Sequence, residues 1–221
     1  MKAFSNLLSD LILTSSRNRK LSLLEQYFSS TPDPDRGYAL AALTGSLNFK
    51  NIKASFFKDL IKEKQDEHLF DLSYDYVGDL AETISLLWDQ EKSGNMPRLS
   101  SLFENLKKAK TDELKNYIIN ILNISTADQR WAFIKLFTGG LRIGVSSRLV
   151  KQALANYGNV DLDEIEKIWH GLHFPYFNLF SWLENKGSKP KISIYDIFHP
   201  MMLAHPLVME KDLAVANPKD F

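Results

Sequence analysis

The chain has 221 residues, 44% of them hydrophobic, and its 27 basic side chains balance 27 acidic ones for a formal net charge of zero. That content is enough to bury the core of one large or two small domains, and it excludes a chain disordered throughout. The charge balance excludes capture of nucleic acid or membrane by an overall field and leaves only local patches for such binding. There is no cysteine, which excludes disulfides, thiolate metal sites and cysteine nucleophiles.

Apolar positions recur three and four apart through most of the chain, which is the helical period. Phe4, Leu7, Leu8, Leu11 and Ile12 predict a first helix, and Leu21, Leu24, Tyr27 and Phe28 a second. The first stripe is interrupted by Ser5, Ser9 and Asp10 and lacks the unbroken apolar run of a secretory signal. A Thr-Pro-Asp-Pro-Asp turn at 31–35 opens a helix over 38–44, with Asp33 or Asp35 as its cap. Residues 52–64 read as an amphipathic helix with lysines outside. Leu69, Leu72, Tyr76, Leu80, Ile84 and Leu87 make a stripe long enough for two helices, which meet near Gly78. Residues 93–97 form a loop. Helices follow over 102–108, 113–123, 127–137, 145–157 and 162–169, and a last one runs from Pro175 to Leu183.

The expected fold is therefore all-α, a compact bundle of about a dozen short helices over residues 1–185. Composition shifts at Asn185. Residues 186–195 read as a linker, and 196–221 as a short C-terminal extension that opens a further unit, so the chain reads as a piece of a longer protein. No run approaches the roughly 18 apolar residues of a membrane span. The expected location is cytoplasmic.

Few residues point to covalent chemistry. His170 and His173 stand three apart with no acid placed to complete a metal set, and neither a phosphate-cradling Gly-x-x-x-x-Gly-Lys-Ser/Thr loop nor a Gly-x-Ser-x-Gly elbow occurs. One stretch differs. The chain has ten glycines, and Gly139, Gly140 and Gly144 fall within six residues between two predicted helices. Glycine lets another molecule approach the backbone, and the start of the following helix offers free N–H groups to phosphate. Arg142 and Arg148 add charge there, and Ser146 and Ser147 add hydroxyls. The other reading of this stretch is a tight corner with a glycine helix cap. Arg17, Asn18, Arg19 and Lys20, after Thr14, Ser15 and Ser16, form a second basic spot that also reads as a solvated helix start capped by Ser16 or Asn18. Gly78 is a third and weaker candidate.

Residues 74–83 (Tyr-Asp-Tyr-Val-Gly-Asp-Leu-Ala-Glu-Thr) and 140–145 (Gly-Leu-Arg-Ile-Gly-Val) resemble the N-terminal DNA-binding domain of ATP-dependent DNA ligases. Residues 14–20, 31–37 and 39–45 resemble in particular the bacterial ligases of the cisplatin-damage-response type. The resemblance implies a domain that grips nicked duplex DNA across the minor groove in repair, with Gly140 to Ser147 against the phosphate backbone. It implies ATP and Mg²⁺ as cofactors of the parent ligase, with none held by this chain. The implied partners are nicked DNA, the remaining ligase domains and other repair proteins, with no membrane. The Lys-x-Asp-Gly adenylation motif of such ligases is absent, since the chain contains no Asp-Gly pair, and the expectation is binding without catalysis. Two rival readings are a helical scaffold that binds proteins and not DNA, and an enzyme built on His170 and His173 with nearby acids.

Overall fold

Most apolar stripes of the sequence become the buried side of a helix. The exceptions are Ile12 and, in the stripe over 69–87, Leu69, Leu72 and Tyr76, which stay exposed while Phe70 is buried instead. The computed structural model describes residues 1–47, 52–92, 94–138 and 140–191. Among the described residues the chain is all-helical and has no strand. Gly139 and the extension over 196–221 lie outside the described residues.

In chain order, α1 (Lys2–Leu13) buries Phe4, Leu7, Leu8 and Leu11, and α2 (Arg17–Ser30) buries Leu21, Leu24, Tyr27 and Phe28. Next come α3 (Asp35–Leu43), α4 (Ala54–Lys62), α5 (Glu67–Val77) and α6 (Leu80–Leu87). They are followed by α7 (Leu99–Lys108), α8 (Thr111–Ile124), α9 (Ala127–Lys135) and α10 (Ser147–Gly158). The last are α11 (Leu162–Ile168), which tightens into a 3₁₀ turn at Trp169–Gly171, and α12 (Phe177–Leu183). Among the described residues no helix is long and apolar enough to cross a membrane.

The long stripe over 69–87 does break at Gly78. That residue takes a left-handed conformation (φ +74°), and its amide donates to the Tyr74 carbonyl at 2.8 Å. Asp79 then caps α6 by accepting from the Glu82 amide at 3.0 Å. Thr126 and Gln129 close a reciprocal cap on α9, each side chain accepting from the other's backbone amide.

The start of α3 differs from expectation. Neither Asp33 nor Asp35 caps it, because Pro34 holds the cap position without a side-chain bond. Asp35 reaches instead to α7, where it accepts from the Ser100 amide at 3.0 Å and hydroxyl at 2.5 Å, and from Arg98 Nε at 3.1 Å. It satisfies the orphan donors of a helix 65 residues further on. Local spacing carries no trace of that partner.

α2 and α10 lie side by side and run in the same direction. Near their starts the Lys20 ammonium donates to the Gly144 carbonyl at 2.8 Å, and further along Asn156 donates to Glu25 at 2.6 Å. At their far ends sits Arg36, only 6% exposed. Its guanidinium forks onto Asp33 at 2.7 and 2.8 Å, pairs closely with Glu184, and reaches the Tyr157 hydroxyl at 3.3 Å and the Phe28 carbonyl at 3.4 Å. It also lies over the Phe180 ring at 4.2 Å. One cation thus joins α2, α3, α10 and the end of α12.

Hydrogen bonding from Arg36, then from Lys186, pulls the Glu184 carboxyl from its ordinary 4.5 down to about 2 against the opposing effect of burial. A depressed carboxyl contributes stability above its unfolded pKa and loses it as pH falls through the folded one. Stability is therefore expected to be flat above about pH 5 and to fall steeply between roughly pH 4.5 and 2. Urea unfolding across pH tests this, and Glu184→Gln should flatten the decline.

Close backbone contact fixes α3 against the segment before α12. A Cβ built on Gly37 would collide with the Pro175 carbonyl oxygen, a backbone atom with no room to yield. Gly37→Ala is expected to cost about 1–3 kcal/mol by overpacking, read as a lower denaturant midpoint.

The first residues of the predicted linker lie against the body. The Lys186 and Gly187 amides donate to the Ser181 carbonyl, and Lys189 bonds Glu164 at 3.0 Å while covering the Trp182 ring.

Candidate nucleic-acid interface

α9 does not end in a glycine cap. Its capping residue is Leu136, in right-handed conformation, and the chain then loops as far as Ser146. The left-handed residues lie inside that loop: Gly140 (φ +79°), Arg142 (φ +49°) and Gly144 (φ +66°). The corner with a glycine helix cap is therefore not what forms. Gly140 and Gly144 serve the path of the loop, and Arg142 takes a conformation uncommon for a side-chain-bearing residue.

Lys20 holds this path. Its ammonium donates to the Ile143 carbonyl at 3.2 Å as well as to that of Gly144. Lys20 is only 8% exposed, so it props the loop from beneath, while Arg17, Asn18 and Arg19 beside it are exposed. A Cβ on Gly144 would meet the Lys20 nitrogen at 2.5 Å, so glycine there admits the lysine as well as the left-handed turn.

The two basic segments of the sequence are thereby one place. Ser15, Arg17 and Lys20 line a single open basin of about 600 Å³ with Arg142, Gly144, Ser146 and Leu149. Ser16 caps α2 by accepting from the Arg19 amide at 3.3 Å, and Ser146 caps α10 by accepting from the Leu149 amide at 3.2 Å. Each serine serves one donor. The amides of Arg17 and Asn18, and those of Ser147 and Arg148, have no acceptor among the described residues. Two parallel helix dipoles thus present their positive ends at one rim.

The cations of this rim are also uncommitted. Arg17, Arg19, Arg142 and Arg148 are exposed and form no ion pair among the described residues. By contrast Arg36 and Arg98 are bound to acids, as are lysines such as Lys115 to Glu63 and Lys62 to Glu67.

Gly78 joins the same loop from the other side. A second hollow, of about 260 Å³, is lined by Gly78, Asp79 and Lys58 together with Thr138, Gly140 and Arg142. Arg142 borders both hollows. Asp79 pairs closely with Lys135 of α9, and this ion pair fastens the α5–α6 corner to the helix that feeds the loop. Burial would raise the Asp79 carboxyl, but Lys135 and the backbone amides of Glu82 and Ala81 together outweigh it and hold the carboxyl below the usual range. Sequence spacing gives no sign of Lys135 and makes Lys58 part of a solvated face. Only the fold shows where they lie.

His170 and His173 are both exposed, and the acids near them are engaged, Glu166 with Lys151 and Glu164 with Lys189. Among the described residues no group of three or more His, Asp or Glu could hold a metal ion.

Fold and face together define an all-helical module with a concave, donor-rich surface assembled from two helix starts and a glycine-bearing loop. A family model described as the DNA ligase N terminus matches residues 1–155, which include every segment of both hollows. The chain belongs to that family, in line with its resemblance to the N-terminal domain of ATP-dependent DNA ligases. No curated protein matches the chain.

Proposed function

We propose that this domain grips duplex DNA through its phosphate backbone along the minor groove, seating phosphates on the basin between α2 and α10, and that it supports nick sealing by the rest of an ATP-dependent DNA ligase. The observation that carries this reading is the pair of adjacent helix starts, with four amides unbonded and four arginines unpaired among the described residues around one loop. Gly140, Arg142, Gly144, Ser146, Ser147 and Arg148 form one side of the grip. Arg17, Asn18 and Arg19 form the other, Lys20 supports the loop, and Gly78 borders its far edge. Such contacts position a duplex without reading its sequence.

The finer assignment is to the bacterial cisplatin-damage-response ligases, acting in DNA repair in the cytoplasm. It rests on the resemblance of residues 14–20, 31–37 and 39–45. In the parent enzyme ATP and Mg²⁺ serve the adenylation domain, whose first residues are assigned to 196–221 beyond a linker over 186–195. The helical domain holds both sides of the nick while chemistry proceeds elsewhere. The partners are nicked DNA, the other ligase domains and further repair proteins.

Fluorescence anisotropy with nicked duplex, intact duplex and single strand, each at two salt concentrations, tests the reading. The expected result is duplex binding that weakens with salt and is strongest at the nick. Equal affinity for single strand and duplex would refute the minor-groove grip.

A further inference from the structure

A third hollow, of about 460 Å³, opens where α1, α6 and α9 meet, and its character is opposite to that of the basin. Ile12, Leu13, Leu86 and Trp131 supply its apolar surface, and Glu82 and Asp128 stand among them. Among the described residues no lysine or arginine lines it. Leu13 is 84% exposed, Leu86 66% and Ile12 49%. Single exposed leucines are ordinary on protein surfaces, but large apolar side chains from three helices around one hollow are not.

The core does not explain these residues. α1 already buries Phe4, Leu7, Leu8 and Leu11, so Ile12 and Leu13 extend its apolar surface past the buried stripe. Trp131 is half-buried, and its indole N–H has no acceptor among the described residues. Tryptophan, with an apolar body and a polar donor, is one of the residue types enriched among the anchors of protein interfaces. Lys135 lies 6.0 Å from that ring, but its charge is committed to Asp79.

Charge selects the occupant. Glu82 and Asp128 are both exposed, and neither forms an ion pair among the described residues. Two free carboxylates repel phosphate, which excludes a nucleic-acid backbone, and they attract lysine or arginine. We propose that this hollow is a docking groove for a protein segment, an amphipathic helix with apolar side chains three and four apart flanked by basic residues. The groove ends at Leu13, two residues before Ser15 of the basin. A segment seated here lies beside the proposed DNA face and leaves it open. The proposal is independent of the DNA reading.

The test uses a synthetic helical peptide of leucines spaced three and four apart with lysines elsewhere, and a counterpart with glutamates for the lysines. Each is titrated into the ¹⁵N-labelled protein. The lysine peptide should give saturable shifts at Ile12, Leu13, Leu86 and the Trp131 indole, with a dissociation constant on the order of 100 µM, and the glutamate peptide should give none. Leu13→Ser with Leu86→Ser should weaken binding about tenfold, and Glu82→Gln with Asp128→Asn about threefold, an effect that salt erases. None of the four side chains is buried, so the variants should keep the wild-type circular dichroism. Shifts scattered over the surface, equal binding of both peptides, or binding that survives both variants would overturn the proposal. So would a loss of duplex DNA binding in Leu13→Ser with Leu86→Ser, since the groove would then be a nucleic-acid surface.

Discussion

Replacing Arg36 with methionine is expected to destabilise the domain by about 3–5 kcal/mol, a large part of a typical domain's net stability. The side chain is buried, and its loss strands the Asp33 carboxylate, leaves Glu184 with only Lys186 and the Tyr157 hydroxyl, and leaves that hydroxyl without one partner. Methionine fills much of the same space, so the loss reports the stranded charges more than a cavity. Equilibrium urea unfolding gives the number. The combined change Arg36→Met, Asp33→Asn, Glu184→Gln should recover part of it, because no unpaired carboxylate remains. A triple variant as weak as the single one would show that packing against Phe180 outweighs the ion network. Arg36 lies at the opposite end of α2 and α10 from the basin, so what remains folded should still bind DNA.

Changing Arg142 and Arg148 together to alanine is expected to leave folding intact and to weaken duplex binding about tenfold or more at ~0.1 M salt. The slope of log affinity against log salt should fall by about two, one for each lost phosphate contact. Both side chains are exposed and unpaired, so nothing in the fold is stranded by their removal. Alanine keeps the Cβ of Arg142 and hence the same cost of its left-handed backbone, so the loop path should persist. Lys107→Ala with Lys108→Ala is the control, since these exposed lysines of α7 line neither hollow. An equal loss in the control would mean diffuse attraction, and an unchanged slope in the arginine pair would remove the basin from the interface.

The helices were legible in the sequence because amphipathic spacing is a local property. Helices form over the stripes at 4–12 and 69–87 and break at Gly78 as the period places them. Before that break, however, the buried face is not the one the stripe names, since Leu69, Leu72 and Tyr76 are exposed and Phe70 is buried. Glycine crowding singled out the loop at 139–148 for the same reason, since ten glycines make three in six residues conspicuous. What spacing could not show is partnership across the chain. Asp35 looks like the cap of its own helix and serves α7 instead. Lys20 looks like a surface cation in a basic run, yet it is buried on carbonyls 123 and 124 residues away. Nor does any sequence signal state that α2 and α10 lie parallel. That packing turns two ordinary serine-capped helix starts into one surface.

Backbone chemical-shift perturbation by a short nicked duplex tests the central claim most directly, because it reports where the DNA sits as well as whether it binds. The account predicts that the largest shifts fall on the amides of Arg17, Asn18, Ser147 and Arg148, on Gly140 to Gly144, and on Gly78, while Leu13 and Leu86 stay still. Shifts concentrated on α7 and α8, or on the groove between α1, α6 and α9, with the basin unmoved, would contradict it.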